Sequence, residues 1–318
     1  MSFEVHEHLP LTRPRAALRR IPELLSAGCF VILDLEDSAM CVFDDAETFR
    51  LKEEARAGLR RVASQIKHSP GLTRMQIRIN EVRSPHYQKD VHALADWAKA
   101  GLPLHLSIPK IDSPDTARQC RDDVIRTCGV EPSLTPIFEV GAALGQIREI
   151  AQACPGNRRR AFWGYYDYAL DTGIWPFEDQ RSEPFWELAR RFAREIEAAG
   201  VRYVHTPAPA LTDRNELLAI KAMSMSICGK PAGISTLGRA QTDALCKPAD
   251  PQPMKLAPSV WTRKGAFKRA LETVELFESN ATIKRSFAIV GDRFIPPHEY
   301  LAARSYLAAN ASSEAPGS

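Results

Sequence analysis

Two carboxylates at the ends of neighbouring apolar runs are the part of this sequence best equipped for chemistry. Residues 134–138 form a short apolar run ending in Glu139, and residues 161–163 form another, followed by Gly164-Tyr-Tyr-Asp167. The spacing predicts a helix through Ile147 and Ile150 between them. In a parallel sheet built from strand–helix–strand units, consecutive strands lie side by side and their C-terminal ends share one rim. Glu139 and Asp167 then become neighbours, and two such oxygen ligands can hold a hard divalent cation such as Mg²⁺, or Mn²⁺. A lone acid at a strand end is usually just solvated. The pair gains weight because other strands also end in polar residues.

The run Cys29-Phe-Val-Ile-Leu33 leads into Asp34-Leu-Glu36-Asp37-Ser38, residues 75–79 carry Arg78 and precede Asn80, and residues 104–108 lead into Pro109-Lys110. On one rim these form a site for a small anion. A metal and Arg78 together can bind a 2-oxo acid, the metal chelating carboxylate and keto oxygen while the guanidinium pairs with developing negative charge. An enolate formed there is stabilised electrostatically. The catalytic candidates are Arg78, Asp37 and Glu36. Asp37 either orients Arg78 or a metal-bound water, or moves a proton, and Glu36 equally serves as a partner that positions Arg78. Lys110 either contacts substrate or pairs with an acid such as Asp34. Tyr165 and Tyr166 read as pocket walls, and His6 and His8, two apart on the first strand, as residues lining the sheet interior. Arg78→Lys is expected to lower turnover while the melting temperature stays near wild type, with Arg83→Lys as a silent control. No Ser-His-Asp order or reactive-cysteine setting suggests a covalent nucleophile, so carbon–carbon chemistry through an enolate fits better than acyl-enzyme hydrolysis.

Positioning these residues takes strands at 3–9, 29–33, 75–79, 104–108, 134–138, 161–163, 201–205 and near 230–234, alternating with helices such as 45–64, 87–100, 114–127, 184–199 and 213–223. The continuous apolar character of the second run marks a strand covered on both faces. Eight alternating strand–helix pairs are what a (β/α)₈ TIM barrel requires. A doubly wound open sheet is the alternative, but no G-x-G-x-x-G follows the first strand. The expected organisation is a barrel over residues 1–240, a proline-rich connector and C-terminal helical arm or lid over 241–310, and a disordered tail over 311–318. Within the arm, helices are expected at 262–278 and 298–309 and a short strand at 287–290.

The whole-chain properties agree with a soluble globular protein. Among 318 residues, 44% are hydrophobic, 25% are charged and the net charge is +3. Charges of both signs are mixed throughout, which argues against a nucleic-acid partner. The seven cysteines are scattered without a C-x-x-C, so neither a disulfide framework nor a zinc site is expected, and buried apolar packing in a reducing compartment is. No membrane span and no signal peptide are read, and the expected location is cytoplasmic.

Taken together, Leu33-Asp-Leu-Glu-Asp37-Ser-Ala, Arg78-Ile-Asn80, Ile108-Pro-Lys110, Pro136-Ile-Phe-Glu139, Phe162-Trp-Gly164-Tyr-Tyr-Asp167 and the C-terminal Ala288-Ile-Val-Gly-Asp-Arg-Phe-Ile-Pro-Pro297 resemble the successive motifs of the citrate lyase β-subunit-like (HpcH/HpaI aldolase) family. The resemblance implies a TIM barrel that cleaves or forms carbon–carbon bonds in hydroxyacyl thioesters, usually with Mg²⁺ and often as a homo-oligomeric trimer. It implies Glu139 and Asp167 as metal ligands, Arg78 as the oxo-acid contact and Asp37 as an active-site acid. It further implies contact of the backbone at Gly164, Tyr165 and Tyr166 with the oxo-acid carboxylate, and Arg13 as a phosphate contact. The substrates so implied are a short 2-oxo acid and a thioester of coenzyme A or of an acyl carrier. Pro231-Ala-Gly-Ile-Ser235 departs from the family's eighth-strand pattern and leaves the carrier end open. Other readings are a pyruvate-type aldolase on a free substrate, a thioester hydrolase at the same metal site, and a non-catalytic binding or regulatory barrel.

Overall fold

Eight parallel strands close on themselves. The computed structural model describes residues 3–156, 160–229, 232–247, 254–258, 263–280 and 287–310. β1 (Glu4–Pro10), β2 (Phe30–Asp34), β3 (Met75–Arg78), β4 (His105–Ile108), β5 (Ser133–Phe138), β6 (Arg160–Trp163), β7 (Arg202–His205) and β8 (Gly233–Thr236) pair in sequence order, and β8 pairs with β1 to complete the barrel. The expected TIM barrel is therefore present. The expected tail at 311–318, the connector at 248–253 and the start of the eighth run at 230–231 lie outside the described residues.

Local chemistry explains why the chain punctuates as it does. The first barrel helix, α1 (Pro14–Ser26), begins with proline at its first position, where no intrahelical amide bond is lost. It ends before Gly28, whose φ of 78° supplies the left-handed residue that a helix C-terminus favours. α2 (Asp45–Ile66) is capped by Asp44, whose side chain accepts from the amides of Ala46 and Glu47. All five residues of β2 are buried, as a strand between barrel interior and outer helices must be.

Alternation along each strand sorts side chains to two destinations. One set joins the outer helices in the main core; the other fills the barrel, where Ile32, Ile137, Phe162 and Val204 form a compact cluster. His6 stacks on Phe30 at 4.6 Å and meets Phe162 edge-on at 5.1 Å. Burial, with the positive charge of Arg160, holds its pKa well below the usual value. The barrel floor is closed by Glu4, which pairs with Arg160 and Arg202.

Two helices escaped the sequence reading. α6 (Tyr165–Asp171) starts directly after β6, so Asp167 stands in the first turn of a helix rather than in a loop. α9 (Arg239–Cys246) follows β8 and packs on α8 (Arg214–Ser226) and β1. Cys246 is exposed, and its Sγ lies 3.1 Å from that of Cys29; the expectation of uniformly buried cysteines holds for Cys29, Cys41 and Cys120 but not for Cys246. Among the described residues no helix is long and apolar enough to cross a membrane.

The C-terminal arm comprises α10 (Arg263–Asn280), the antiparallel pair β9 (Ala288–Val290) and β10 (Arg293–Ile295), and α11 (Pro297–Asn310). It has a small core of its own: Phe277, Ala288, Ile295 and Tyr300, with Phe277 and Tyr300 stacked at 4.4 Å. It also grips the barrel. Asp292 accepts from the amides of Thr212 and Asp213 at the entry to α8, and the Phe294 amide donates to the Pro209 carbonyl. Glu299, nearly fully buried, joins Arg269 at 2.9 Å and Arg293 at 3.0 Å. These contacts set the start of α11 over the C-terminal rim of the barrel, beside α6.

Candidate functional site

The rim is built from strand ends, as the alternation demands. Asp34 closes β2 and faces inward. Its carboxylate accepts from Arg78 Nε at 2.8 Å and Nη2 at 2.7 Å, and from the amide of Glu36 at 2.9 Å. Burial opposes its charge, but Arg78 outweighs burial and holds the carboxyl at about 2. Asp34 is thus the bidentate anchor of Arg78, a role the sequence reading did not assign. The remaining guanidinium nitrogen, Nη1, reaches Asp37 at 2.8 Å and Glu36 at 3.0 Å. Asp37 lies against Arg78, and Glu36 stands within ion-pair distance of the same nitrogen.

Lys110 follows β4 and pairs not with Asp34, as one reading had it, but with Glu36 and Asp167, each at 2.9 Å. Its backbone carries a φ of 49°, the only positive value at a non-glycine residue among the described ones. A left-handed backbone costs a non-glycine residue about 1–2 kcal/mol. The strain directs the Lys110 amide to Glu139 Oε1 at 2.8 Å while the ammonium reaches back across the rim. Such strain is held in place only where the surrounding contacts over-determine it, a feature of functional sites.

Glu139 ends β5, and its other oxygen lies over Gly164 at the end of β6. A Cβ on Gly164 would stand 2.3 Å from Glu139 Oε2, so this position admits no side chain. Asp167 follows three residues later, and Lys110 bridges the two acids, amide to one and ammonium to the other. The Gly164 amide donates to the Phe138 carbonyl and the Tyr165 amide to Thr206 Oγ1. Tyr165 and Tyr166 line a cavity of about 150 Å³ together with Phe177, Arg269, Arg293 and Glu299. This cavity lies between α6 and the arm. Arg13 stands exposed at the start of α1, after β1. His8 lines the barrel, and burial together with Arg78 lowers its pKa to about 3, so it is a neutral filler.

Three residues of the site went unread in the sequence. Lys52, from α2, donates to the carbonyls of Leu35 and Glu36 and to Asn80 Oδ1, clamping the acidic loop from behind. Asp90, from α3 (Tyr87–Lys99), accepts from both the amide and the side chain of Asn80. His298, on the first turn of α11, reaches Asp167 with Nε2 at 3.1 Å and Asp37 at 3.9 Å. The run of prolines before it marks a turn into a helix, but no local pattern ties His298 to acids more than a hundred residues away.

The electrostatics fit a divalent cation. The carboxylates of Asp34, Glu36, Asp37, Glu139 and Asp167 outnumber the permanent cations Arg78, Lys110 and Lys52 in the network. The surplus charge shows where protons are held. Burial and then Asp167 push Glu139 well above the usual carboxylate range, and burial with Asp37 lifts Glu36 to about 7. A buried carboxylate is tolerated when it is paired or bound to metal, and otherwise takes up a proton.

Sequence comparison matches residues 30–227 to the HpcH/HpaI aldolase/citrate lyase family. The chain belongs to that family. As an HpcH/HpaI family member it is a carbon–carbon lyase. No curated protein matches the chain. Among solved structures, the fold is similar to that of Haloferax volcanii malate synthase, in its pyruvate/acetyl-CoA ternary complex. That protein has 16% identity, 99% of this chain and 93% of that one covered, and a TM-score of 0.73. A citrate lyase β subunit from M. tuberculosis, complexed with oxaloacetate and magnesium, has 18% identity over 77% of this chain and 96% of its own, with a TM-score of 0.57. RipC from Yersinia pestis has 21% identity over 78% and 96% of the two chains, with a TM-score of 0.56.

Proposed function

We propose that this HpcH/HpaI family member is a Mg²⁺-dependent lyase that makes or breaks the carbon–carbon bond between a short 2-oxo acid and the acyl group of a thioester, of coenzyme A or an acyl carrier. The observation that carries the reading is the surplus of buried carboxylate at Glu139 and Asp167, set beside an arginine fork anchored by Asp34. Glu139 and Asp167 would hold the metal, which when bound supplies a Lewis acid for the keto oxygen. The remaining work falls to the chain's own side chains. Arg78 Nη1 turns from Asp37 and Glu36 to the substrate oxygen, Asp34 keeps the guanidinium plane fixed, and Asp37 is left beside the reacting carbon to orient a water or move a proton. Lys110 compensates charge on Asp167 when no cation is present and moves to the substrate when one is. The complexes formed by the malate synthase and citrate lyase β relatives are of the same chemical kind. They support the choice of oxo acid and thioester.

The direct test is mass-spectrometric screening of the purified protein with Mg²⁺ against oxaloacetate, glyoxylate and pyruvate, each paired with acetyl and propionyl thioesters. Product from a thioester pair supports the proposal. Turnover of a free hydroxy or oxo acid with no thioester would replace it by a free-substrate aldolase, and release of free thiol without a new or broken carbon–carbon bond by a hydrolase.

Metal binding should carry a pH signature of known sign. Glu36 and Glu139 hold their protons to higher pH folded than unfolded. In the cation-free protein Glu36 therefore contributes stability at low pH that is lost as pH rises through about 7, and Glu139, also raised, acts in the same direction. A cation held by Glu139 must displace its proton, so metal affinity should climb with pH. Isothermal titration of Mg²⁺ and Mn²⁺ in buffers of different ionisation enthalpy should register proton release. In Glu139→Gln both the binding and the proton release should fall; equal binding by the two proteins would remove Glu139 from the site.

A further inference from the structure

One set of three possible donors at the rim is close enough to share an ion, and it includes a residue not expected from the sequence. Asp37, Asp167 and His298 each place one ligand atom so that all three lie within 4.8 Å of one another. Donors facing each other across an ion with bonds of about 2.1 Å stand about 4.2 Å apart, so small side-chain movements bring all three onto one cation. His298 is buried. Among the described residues its Nδ1 has no hydrogen-bond partner, while Nε2 points at Asp167 and Asp37. The imidazole thus has its polar contacts only on the side that faces the acids.

His298 is also held where it is from outside the barrel. The next residue, Glu299, is fixed by Arg269 and Arg293, and two residues on, Tyr300 stacks on Phe277. The arm itself is clipped through Asp292 to the entry of α8. A nitrogen donor is therefore delivered to a carboxylate site by an element that is neither strand nor barrel helix.

We propose that His298 is a metal ligand supplied by the C-terminal arm, joining Asp167 and Asp37, and that this nitrogen gives the site a preference for later first-row ions such as Co²⁺ over Mg²⁺. The inference rests on the reading that the rim binds a divalent cation, extends it to a mixed nitrogen–oxygen site, and gives Asp37 to the ion in place of the proton-handling role proposed for it. Imidazole suits the later first-row ions, whereas Mg²⁺ is suited to oxygen donors. Bound metal then ties the arm to the barrel, since Asp167 belongs to α6 and His298 to α11. Asp37 comes from the loop after β2, so three separated segments converge on one ion.

Pulsed electron paramagnetic resonance of Mn²⁺-loaded protein tests this, because a directly bound ¹⁴N modulates the manganese signal. The wild type should show that modulation, and uniform ¹⁵N-histidine labelling should convert it to the ¹⁵N pattern, with no substitution needed. His298→Gln keeps an oxygen donor of similar reach and should lose the modulation. By titration, wild type should bind Co²⁺ at least about tenfold tighter than Mg²⁺, and His298→Gln should bring the two affinities closer together. Mn²⁺ binding without nitrogen modulation in the wild type would overturn the role of His298 and leave an oxygen-only site at Glu139 and Asp167 standing. Failure of the wild type to bind either ion at millimolar concentration would overturn the cation reading as well.

Discussion

Arg78→Lys should lower turnover by about a hundredfold or more, the cost of removing one preorganised donor from a developing oxyanion, and should lower the melting temperature with it. The second half of that outcome departs from the sequence expectation of an unchanged fold. Arg78 is gripped by Asp34 through both Nε and Nη2 and by Asp37 and Glu36 through Nη1. A lysine keeps the charge but offers one compact ammonium in place of a planar fork. It can satisfy one or two of these acids, leaving a buried carboxylate short of a partner at a cost of about 1–3 kcal/mol. Activity assays and thermal melts on the same preparation separate the two effects, because the stability loss alone leaves the folded fraction fully active at low temperature. The control residue, Arg83, is exposed and pairs with Asp112; Arg83→Lys should change neither. Full activity in Arg78→Lys would remove Arg78 from the chemistry.

Gly164→Ala should abolish productive metal binding without unfolding the barrel. The backbone at Gly164 has a φ of −99°, which alanine adopts freely. The added methyl, however, would lie 2.3 Å from Glu139 Oε2 and 2.8 Å from Glu139 Cβ. Either Glu139 rotates away from the rim, losing the amide of Lys110, or the end of β6 moves and takes Asp167 with it. Both displace a proposed ligand. Loss of a group that orients a metal ligand typically costs about 10–100-fold in affinity or activity, and displacing a ligand itself should exceed that. Titration with Mn²⁺ and a turnover assay check the expectation. Gly145→Ala is the matched control, since nothing lies within 4 Å of its added methyl. Wild-type Mn²⁺ affinity in Gly164→Ala would show that Glu139 is not needed for the ion.

Much of the catalytic layout was legible because a parallel barrel converts sequence order into spatial order. Once each apolar run was read as a strand, its next polar residue was assigned to one rim, and the structure brings Glu36, Asp37, Arg78, Lys110, Glu139 and Asp167 together there. Boundaries of the first seven strands came out within a residue or two because apolar runs covered on both faces are abrupt in sequence; the eighth, read near 230–234, lies at Gly233–Thr236. The two unread helices are short, seven and eight residues. A single amphipathic turn or two carries too little periodicity to separate it from a loop.

Pairing within the rim was a different matter. Which acid holds Arg78 depends on side-chain direction and reach. The alternation of β2 aims Asp34 inward at the fork, whereas the left-handed backbone at Lys110 sends its ammonium to Glu36 and Asp167 instead. Composition and spacing alone favoured a barrel over an open sheet and placed an acidic, arginine-bearing rim at its C-terminal end; closure of β8 on β1 came from the structure. Tertiary structure alone decided that His298 belongs to that rim, because the arm docks through Asp292 and Glu299, contacts between segments with no shared periodicity. The physical reason is range: periodicity records what each residue does relative to its own element, and docking is decided by the surfaces that two distant elements happen to bury together.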